Sequence, residues 1–577
     1  MKHYANEKSV LILIALLKAH GIKKVIASPG ATNVSVVASL QSDPFFEMYS
    51  CVDERSAAYM ACGLSAESGE PVMLSCTGAT SSRDYLPGLT EAFYRNLPIL
   101  VVTSSMSNGK IGHLFPQVTN RMSPPKDAVH LSLQLPYVKD NDDAWECETK
   151  INQGILELFR GEGGPVHLNL QVTYTGDFSV TSLPLVRKIS RFTQNDTLPE
   201  LNGRVAIFVG SHREMTKELT QAIDDFCSAN DAVVFCDQTS GYYGKYRVFW
   251  SLAAVQNVSR EDSHPDIMIH IGEISGAYMK IRGGKTWRVS KDGGLKDFFR
   301  NVENIFEMPE ILFFRHYATV GKSKHTDSYL KSCLATLEDL RKSIPELPFS
   351  NLWCAQQSHS SVPTNSVIHF SILNSLRAWN FFDIDSSISR ESNTGGFGID
   401  GCTSTIIGAS LANPEKLHFL VSGDLAFFYD LNAICNRHVG KNVRILLINN
   451  GKGIEFRNYN HVAAQFGEET DEFIAAGRHN GCQSAEFVKE AAHALGFEYL
   501  FAKTKDDFLS VKDRFWTSEI LDRPVIFEIF TNDENESEAL KIICSIEVEE
   551  PSTTVKDIAK RALGQQGVRF IKKLAGK

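Results

Sequence analysis

Leu417-His418-Phe419-Leu420-Val421-Ser422-Gly423-Asp424 and Val443-Arg444-Ile445-Leu446-Leu447-Ile448-Asn449-Asn450 decide how this chain folds. Each is an apolar run of strand length that ends in a residue with a side-chain oxygen, and 25 residues lie between Asp424 and Asn450. The intervening stretch from Leu425 to Arg437 reads as a helix. Strand, helix and strand in that order put a carboxylate and an amide at the carboxyl ends of a parallel sheet, where open α/β folds take up ligands. Oxygen donors without imidazole or thiolate suit Mg²⁺ or Ca²⁺, and Mg²⁺ commonly completes its shell with phosphates. A helix starting just after Asp424 aims backbone N–H groups at the same phosphates. A diphosphate cofactor held through a divalent ion is the natural reading. Taken alone, Gly-Asp is also a common helix cap and Asn-Asn a common turn, so the rest of the chain has to decide.

The 577 residues predict several domains, and 59 basic against 68 acidic residues with a pI near 6.0 exclude a nucleic-acid footprint. The apolar run Val10 to Leu17 is too short to span a bilayer and lies in an amphipathic helix pattern, Glu7 to His20, closed by Gly21. No segment has the form of a signal peptide. Twelve scattered cysteines without a CxxC pair read as reduced residues of a cytoplasmic protein.

Further strand candidates in the first third are Lys24 to Ala27, Pro71 to Cys76 and Pro98 to Thr103, with a helix over Asp84 to Arg95. Thr175 to Asn202 reads as a linker. A second α/β segment follows, with strands at Val205 to Val209, Ala232 to Cys236, Ile267 to Ile271 and Thr286 to Val289, but no GxGxxG. A loose Pro/Ser stretch, Ile344 to Asn365, leads to a third unit that includes Val525 to Phe530. Alternation of this kind predicts parallel sheets with helices on both faces. Two similar sheets flanking a third suggest duplication, without a residue-level repeat.

Four clusters add chemistry. Ser28-Pro29-Gly30 closes the first strand in a turn that lets backbone approach a ligand. Val52-Asp53-Glu54-Arg55 introduces a helix of small residues, Ala57 to Ala66. Thr77-Gly78-Ala79-Thr80 follows a strand and can expose backbone N–H groups, and Asn393 to Gly401 is a glycine-rich loop before a helix from Thr403.

With Pro29-Gly30, Asp53-Glu54-Arg55, Gly398-Ile399-Asp400-Gly401 and Gly423-Asp424-Leu425 running on to Tyr429-Asp430-Leu431-Asn432, the chain resembles the thiamine diphosphate enzymes of the decarboxylase and acetolactate synthase superfamily. Within it the likeness is greatest to the menaquinone-pathway 2-succinyl-5-enolpyruvyl-6-hydroxy-3-cyclohexene-1-carboxylate synthases, because most of the superfamily has Gly-Asp-Gly where this chain has Gly-Asp-Leu. The resemblance implies three doubly wound parallel-sheet domains. These are a pyrimidine-binding domain over 1–180, a central α/β domain over 200–345 and a diphosphate- and Mg-binding domain over 365–545, before a helical tail over 546–577. It also implies a homodimer, or a dimer of dimers, with each cofactor shared between the first domain of one chain and the third of another.

The implied cofactor contacts are Pro29, Gly30, Thr77 and Gly78 on one side, and Gly398, Ile399, Gly423, Asp424, Leu425, Ala426, Asn450, Lys452, Gly453 and Ile454 on the other. Glu54 would share a proton with the aminopyrimidine, which requires a dry pocket. Ile399 would bend the cofactor, and the Gly398 carbonyl would accept from its amino group. Asp424, Asn450 and the backbone carbonyl of Lys452 would bind Mg²⁺, replaceable by Ca²⁺ or Mn²⁺, leaving the Lys452 side chain solvated. Gln117 would face the reacting carbon, with His113 as a weaker acid/base candidate; a lone loop histidine more often has no catalytic part.

The resemblance breaks at the substrate. Where relatives of the menaquinone type hold carboxylates with arginine, this chain has Thr32, Met106 and Thr394. Arginine is favoured there because its planar fork bonds a carboxylate twice. Losing those anchors predicts a less anionic substrate: a 2-oxo acid, pyruvate by default, whose acyl fragment is protonated after CO₂ loss or passed to an acceptor carbonyl such as a keto-sugar. The alternatives are the menaquinone reaction itself, with arginine supplied from positions such as Arg83 or Arg121, and a non-catalytic protein that keeps the fold.

Overall fold

A computed structural model describes residues 2–277, 279–321, 326–478 and 484–547. Most of the expected C-terminal tail, from 548 onward, lies outside the described residues. The strands form three sheets, of six, seven and six strands, and every registered pair runs parallel. Compactness divides the chain into two units, Met1–Leu198 with Lys285–Met308, and Pro199–Gly284 with Pro309–Lys577.

In the first unit, β1 (Lys24–Ala27), β2 (Glu47–Ser50), β3 (Val72–Thr77), β4 (Ile99–Ser105), β5 (Leu131–Gln134) and β6 (Val166–Gln171) lie in the order β2-β1-β3-β4-β6-β5. Strands β3 and β4 are buried throughout, as expected where helices cover both faces of a parallel sheet. Leu13, Ile14 and Leu17 of the helix Lys8–His20 pack on one face with Val25, Met73 and Leu100. Gly21 ends that helix at φ 77, giving its N–H to the Lys18 carbonyl at 3.1 Å. The opposite face carries the helix Glu54–Ser68, whose Ala57, Ala58 and Ala61 pack on Ile26, Leu74 and Val101. Its small residues have a steric cause: a Cβ added to Gly88, on the neighbouring helix Leu86–Tyr94, would lie 2.5 Å from the Ala58 Cβ.

In the first unit, β7 (Ser190–Thr193) pairs with β13 below. β8 (Val205–Val209), β9 (Val233–Phe235), β10 (Arg247–Val248) and β11 (Ile267–Ile271) belong to the second. β12 (Lys285–Ser290) pairs with β13 (Val302–Glu307) in the first. The second unit also holds β14 (Val367–Phe370), β15 (Ser389–Ser392), β16 (His418–Gly423), β17 (Val443–Asn449), β18 (Glu498–Ala502) and β19 (Val525–Phe530), ordered β15-β14-β16-β17-β19-β18. Counted from its own first strand, this is the order of the N-terminal sheet. The duplication suggested by the sequence is thus a duplication of topology.

Three local expectations need correction. The stretch Thr175 to Asn202 is not all linker, since β7 pairs with β13 inside it; a half-buried edge strand needs no apolar alternation to be held. The stretch Ile344 to Asn365 contains the helix Asn351–Ser358, capped by Ser350, whose hydroxyl accepts from the Trp353 N–H at 3.2 Å. The helix after Asp424 is not continuous to Arg437. It runs Asp424–Tyr429 and is followed by a 3₁₀ turn, Leu431–Cys435. The break falls at Asp430, whose carboxylate accepts from the Ser404 N–H and hydroxyl at 2.5 and 2.7 Å.

Candidate active site

In both six-stranded sheets the first and third strands are neighbours and the chain leaves them in opposite directions, which opens a crevice at their carboxyl ends. At the N-terminal sheet this crevice lies between the ends of β1 and β3. A Cβ on Gly30 would lie 2.6 Å from the Thr77 Cβ, so only glycine lets the turn after β1 approach so closely. Thr32 is buried there, its hydroxyl bonded to that of Thr77 and donating to the Ser104 carbonyl at 2.7 Å. A Cβ on Gly78 would lie 2.7 Å from Nη1 of Arg121. The structure therefore brings Gly30, Thr77 and Gly78 together, next to Pro29 at the end of β1, and adds Thr32 and Arg121.

Glu54 begins the helix Glu54–Ser68 and is half-buried; Asp53 caps that helix, accepting from the Ser56 N–H at 2.8 Å. Glu54 acts electrostatically on the phenol of Tyr85 and the thiol of Cys76, both raised chiefly by their burial. Gln117 and His113 are exposed on the loop after β4. The loop is conformationally costly: Leu114 and Gln117 both sit at φ 61, a left-handed region that non-glycine residues rarely adopt.

At the C-terminal sheet the corresponding crevice lies between β14 and β16, where the Ser371 hydroxyl donates to Ser422 Oγ at 2.8 Å. Asp424 is 4% exposed and begins a helix directly after Gly423. Its Oδ1 accepts from the Leu425 N–H at 2.8 Å and its Oδ2 from the Gly451 N–H at 2.5 Å. Burial raises this carboxyl to about 6, against backbone N–H groups of Leu425, Gly451, Asn450 and Lys452 that pull the other way. Asn450 is also 4% exposed, and its Oδ1 is buried without a hydrogen-bond partner. An orphaned buried acceptor beside a buried carboxylate fits a divalent cation. The donors are oxygens only, as Mg²⁺ prefers, and the cation would relieve both costs of burial.

Around them, Leu425 is half-buried, Ala426 and Ile454 are buried, and Gly453 donates to the Ala475 carbonyl at 2.6 Å. Gly398 and Ile399 lie half-buried in the loop after β15. The Lys452 side chain is not solvated as expected. It bonds Asp471 at 2.6 Å and Asp533 at 3.2 Å and pins the loop that carries Asn450.

Glu528 was not legible as part of this region. It lies fully buried in β19, accepting from Asn449 Nδ2 and the Tyr499 hydroxyl, both at 2.7 Å, and burial raises it to about 7. An acid in the apolar run Val525 to Phe530 is a sequence signal, because a buried carboxyl needs partners.

The N-terminal crevice lies in a segment that matches a known family. Residues 9–124, which carry Gly30, Glu54, Thr77 and Gly78, match the family described as Thiamine pyrophosphate enzyme, N-terminal TPP binding domain. Over these residues the chain is thus similar to thiamine diphosphate-dependent enzymes. Among its relatives are two proteins named 2-succinyl-5-enolpyruvyl-6-hydroxy-3-cyclohexene-1-carboxylate synthase. That of Bacteroides thetaiotaomicron is 28% identical over 564 residues, and that of Bacteroides fragilis 29%; each alignment covers 93% of this chain and 98% of the relative. A solved chain, the Rhodococcus jostii RHA1 thiamine diphosphate-dependent 4-hydroxybenzoylformate decarboxylase, aligns at 16% identity over 91% of this chain and 99% of its own, with a TM-score of 0.39, and carries no argument.

Proposed function

We propose that the chain is a decarboxylating carboligase: it removes CO₂ from a 2-oxo acid, with pyruvate the default donor, and passes the acyl fragment to an acceptor carbonyl such as that of a keto-sugar. The observation that carries this reading is the pair Asp424 and Asn450, a buried carboxylate beside an orphaned amide oxygen at the mouth of the C-terminal sheet. With the Lys452 carbonyl they would hold Mg²⁺ against the cofactor's diphosphate, and the N-terminus of the helix Asp424–Tyr429 adds N–H groups. Thiamine diphosphate, bound there, supplies the electron sink that makes loss of CO₂ feasible. Gly30, Thr77 and Gly78 would admit its pyrimidine ring, and Glu54 would carry the proton exchanged with that ring. Ile399 would press on the cofactor from the loop after β15, while Gln117 and, less directly, His113 would face the substrate.

Altered specificity is supported by the positions where carboxylate-binding arginines are expected. Thr32 is occupied by its bonds to Thr77 and Ser104, and Thr394 is buried. The Lys110 ammonium lies 3.4 Å from the sulfur of Met106. Threonine at 32 and 394 would offer a carboxylate one hydroxyl where arginine would offer a charged, two-pronged donor. The second reading, the reaction for which the Bacteroides relatives are named, is favoured by alignments over 93% of the chain.

A homodimer or a dimer of dimers fits the same reading, with Glu54 of one protomer and Asp424 of its partner serving one cofactor. It is supported by Val52, Tyr59, Met60 and Tyr94, exposed apolar residues on or beside the helices that follow β2 and β3. The cytoplasmic assignment rests on eleven described cysteines, all free. Among the described residues no helix is long and apolar enough to cross a membrane.

The test is CO₂ release from a panel of 2-oxo acids with thiamine diphosphate and Mg²⁺, followed by mass spectrometry with carbonyl acceptors. Release from pyruvate with a coupled product supports the proposal. Efficient product formation only from 2-oxoglutarate and isochorismate would replace it by the second reading, and no cofactor-dependent turnover of any 2-oxo acid would defeat both.

A further inference from the structure

A small cavity lies in the second unit among the helices Asn351–Ser358, Asn374–Trp379 and Asp533–Ile543 and the 3₁₀ turn Ile454–Arg457. Ile454, close after Lys452 in the chain, forms part of its wall, and so does Glu536, a buried carboxyl that feels the charge of Asp424. The cavity therefore adjoins the mouth of the C-terminal sheet. The other polar residues of its wall are Asn351, Asn374, Arg377 and Asn458. Asn351 is 5% exposed. Its Nδ2 donates to the Asn374 carbonyl at 3.1 Å, and its Oδ1 is buried without a hydrogen-bond partner. A carbonyl only accepts, so this amide cannot be turned round, and the group left over is an acceptor. A buried acceptor costs free energy until something donates to it.

The cation in this wall already has its counter-charge. Arg377 Nη1 donates to Glu455 Oε2 at 2.8 Å and Nη2 to Oε1 at 3.0 Å, a two-pronged pair. Nη1 also reaches Asn374 Oδ1 at 3.1 Å, and the same oxygen accepts from Asn458 Nδ2 at 3.2 Å. Burial pushes the Glu455 carboxyl up, but the Arg377 fork outweighs it and holds the group below its ordinary value. Glu455 is thus ionised at neutral pH. A carboxylate entering the cavity would meet an orphaned acceptor, the Glu455 charge and an arginine whose fork is filled. A hydroxyl meets none of these objections: it can donate to Asn351 Oδ1 and still accept from a neighbouring amide N–H.

We infer that this cavity takes a neutral, hydroxyl-bearing arm of the acceptor, and that Glu455, by occupying the Arg377 fork, selects against a carboxylate there. The inference rests on the functional reading above and deepens it, naming where the acceptor's hydroxyls are read and what excludes its acidic counterparts. Discrimination of this kind uses an attractive and a repulsive element together. Asn351 supplies the first and Glu455 the second. With the Glu455 charge removed, the same cavity becomes an anion site, because Arg377 is left with a free fork.

Probes without a reactive carbonyl test this independently of turnover. Binding to the full chain, with thiamine diphosphate and Mg²⁺ present, is measured by ligand-observed NMR for erythritol, xylitol and D-glucitol, each against its aldonate (erythronate, xylonate, D-gluconate). Wild type is expected to prefer the polyol in at least one pair by about tenfold or more. Glu455→Gln should move that ratio towards the aldonate by about tenfold, and Glu455→Asp, which keeps the charge, by less than about threefold. Adding Arg377→Gln to Glu455→Gln should abolish the gain in aldonate binding, which ties the effect to the unmasked guanidinium. Asn351→Leu should lower the polyol preference by about fivefold. The inference is overturned if wild type prefers no polyol, or if Glu455→Gln weakens both members of a pair alike, as a purely structural ion pair would. Should Glu455→Gln not fold, Asn351→Leu decides by the same ratio, an unchanged preference overturning the inference. Release of CO₂ from pyruvate without any polyol preference sinks this inference alone. A polyol preference without CO₂ release from any 2-oxo acid sinks the functional reading and leaves the cavity's selectivity standing.

Discussion

The two six-stranded sheets have one strand order and opposite equipment. After its third strand the N-terminal sheet has Thr77 and Gly78, small residues that leave room, whereas the C-terminal sheet has Gly423 and Asp424, a buried carboxylate. After the second strand the first presents the half-buried acid Glu54, and the second presents Ile399. After the fourth strand the first runs into the exposed loop of His113 and Gln117, and the second into the buried Asn450 on a loop pinned by Lys452. One topology thus provides two equivalent mouths. A buried carboxylate with backbone N–H groups sits at one, and small residues with a half-buried carboxyl and a buried guanidinium at the other.

The difference can be broken at either end, and the largest effect is expected at Glu54. Glu54→Gln is expected to lower kcat by about a thousandfold, within the range for a positioned acid–base group, while cofactor affinity stays within about threefold of wild type. Steady-state kinetics beside calorimetric titration with thiamine diphosphate reads both. An equal loss of binding would make Glu54 a cofactor ligand and erase the division of labour.

Asp424→Ala should act the other way, weakening Mg²⁺-dependent cofactor binding by about a hundredfold, with kcat partly recovered at saturating cofactor. Asn450→Ala should do the same to a smaller degree. If either variant bound the cofactor as tightly as wild type, the oxygen cage at the C-terminal mouth would not be a metal site.

The pH response should also belong to the C-terminal sheet. Burial raises Asp424, Glu528 and Glu536 to about 6, 7 and 7, above their ordinary values of 3.8, 4.5 and 4.5. Raised values mean that the folded, cofactor-free chain holds protons the unfolded chain gives up. The stabilisation is full below pH 4 and is lost as pH rises through 6 to 7. Thermal melting of the cofactor-free protein should therefore fall across that window. Mg²⁺-dependent cofactor affinity should move oppositely, weakening by up to about tenfold per unit below pH 6 because Asp424 must ionise to bind the metal. A flat melting profile from pH 4.5 to 7 would contradict the burial of these acids.

The smallest effect is expected at Lys452. Its ion pairs with Asp471 and Asp533 hold the Asn450 loop without touching the proposed metal through the side chain. Lys452→Met should weaken cofactor binding by about tenfold, in line with outer positions that orient ligands, and leave kcat at saturation within about twofold. A larger fall in kcat would place Lys452 closer to the chemistry.

Much of this was legible because parallel strands buried on both faces are written as continuous apolar runs. Val205–Val209, Ile267–Ile271 and Val525–Phe530 have the limits read from the sequence. The edge strands β2, β7 and β15 were not, since half-buried edges carry no such run. Asp424 and Asn450 were legible from their place at strand ends, and the bond from the Gly451 N–H to Asp424 joins them as read.

The sequence by itself determined the class of fold, the cofactor family and the residues at each sheet mouth, because strand ends and glycine turns are local features. Only the tertiary structure decided that the two outer sheets repeat one topology, that Lys452 is paired and that the helix after Asp424 stops at Asp430. It alone placed Arg121 buried against Gly78. Each depends on partners far away in the chain, such as Asp533 for Lys452, Ser404 for Asp430 and Asn169 for Arg121. Burial and hydrogen bonding between distant segments are set by packing, which no local pattern of residues records.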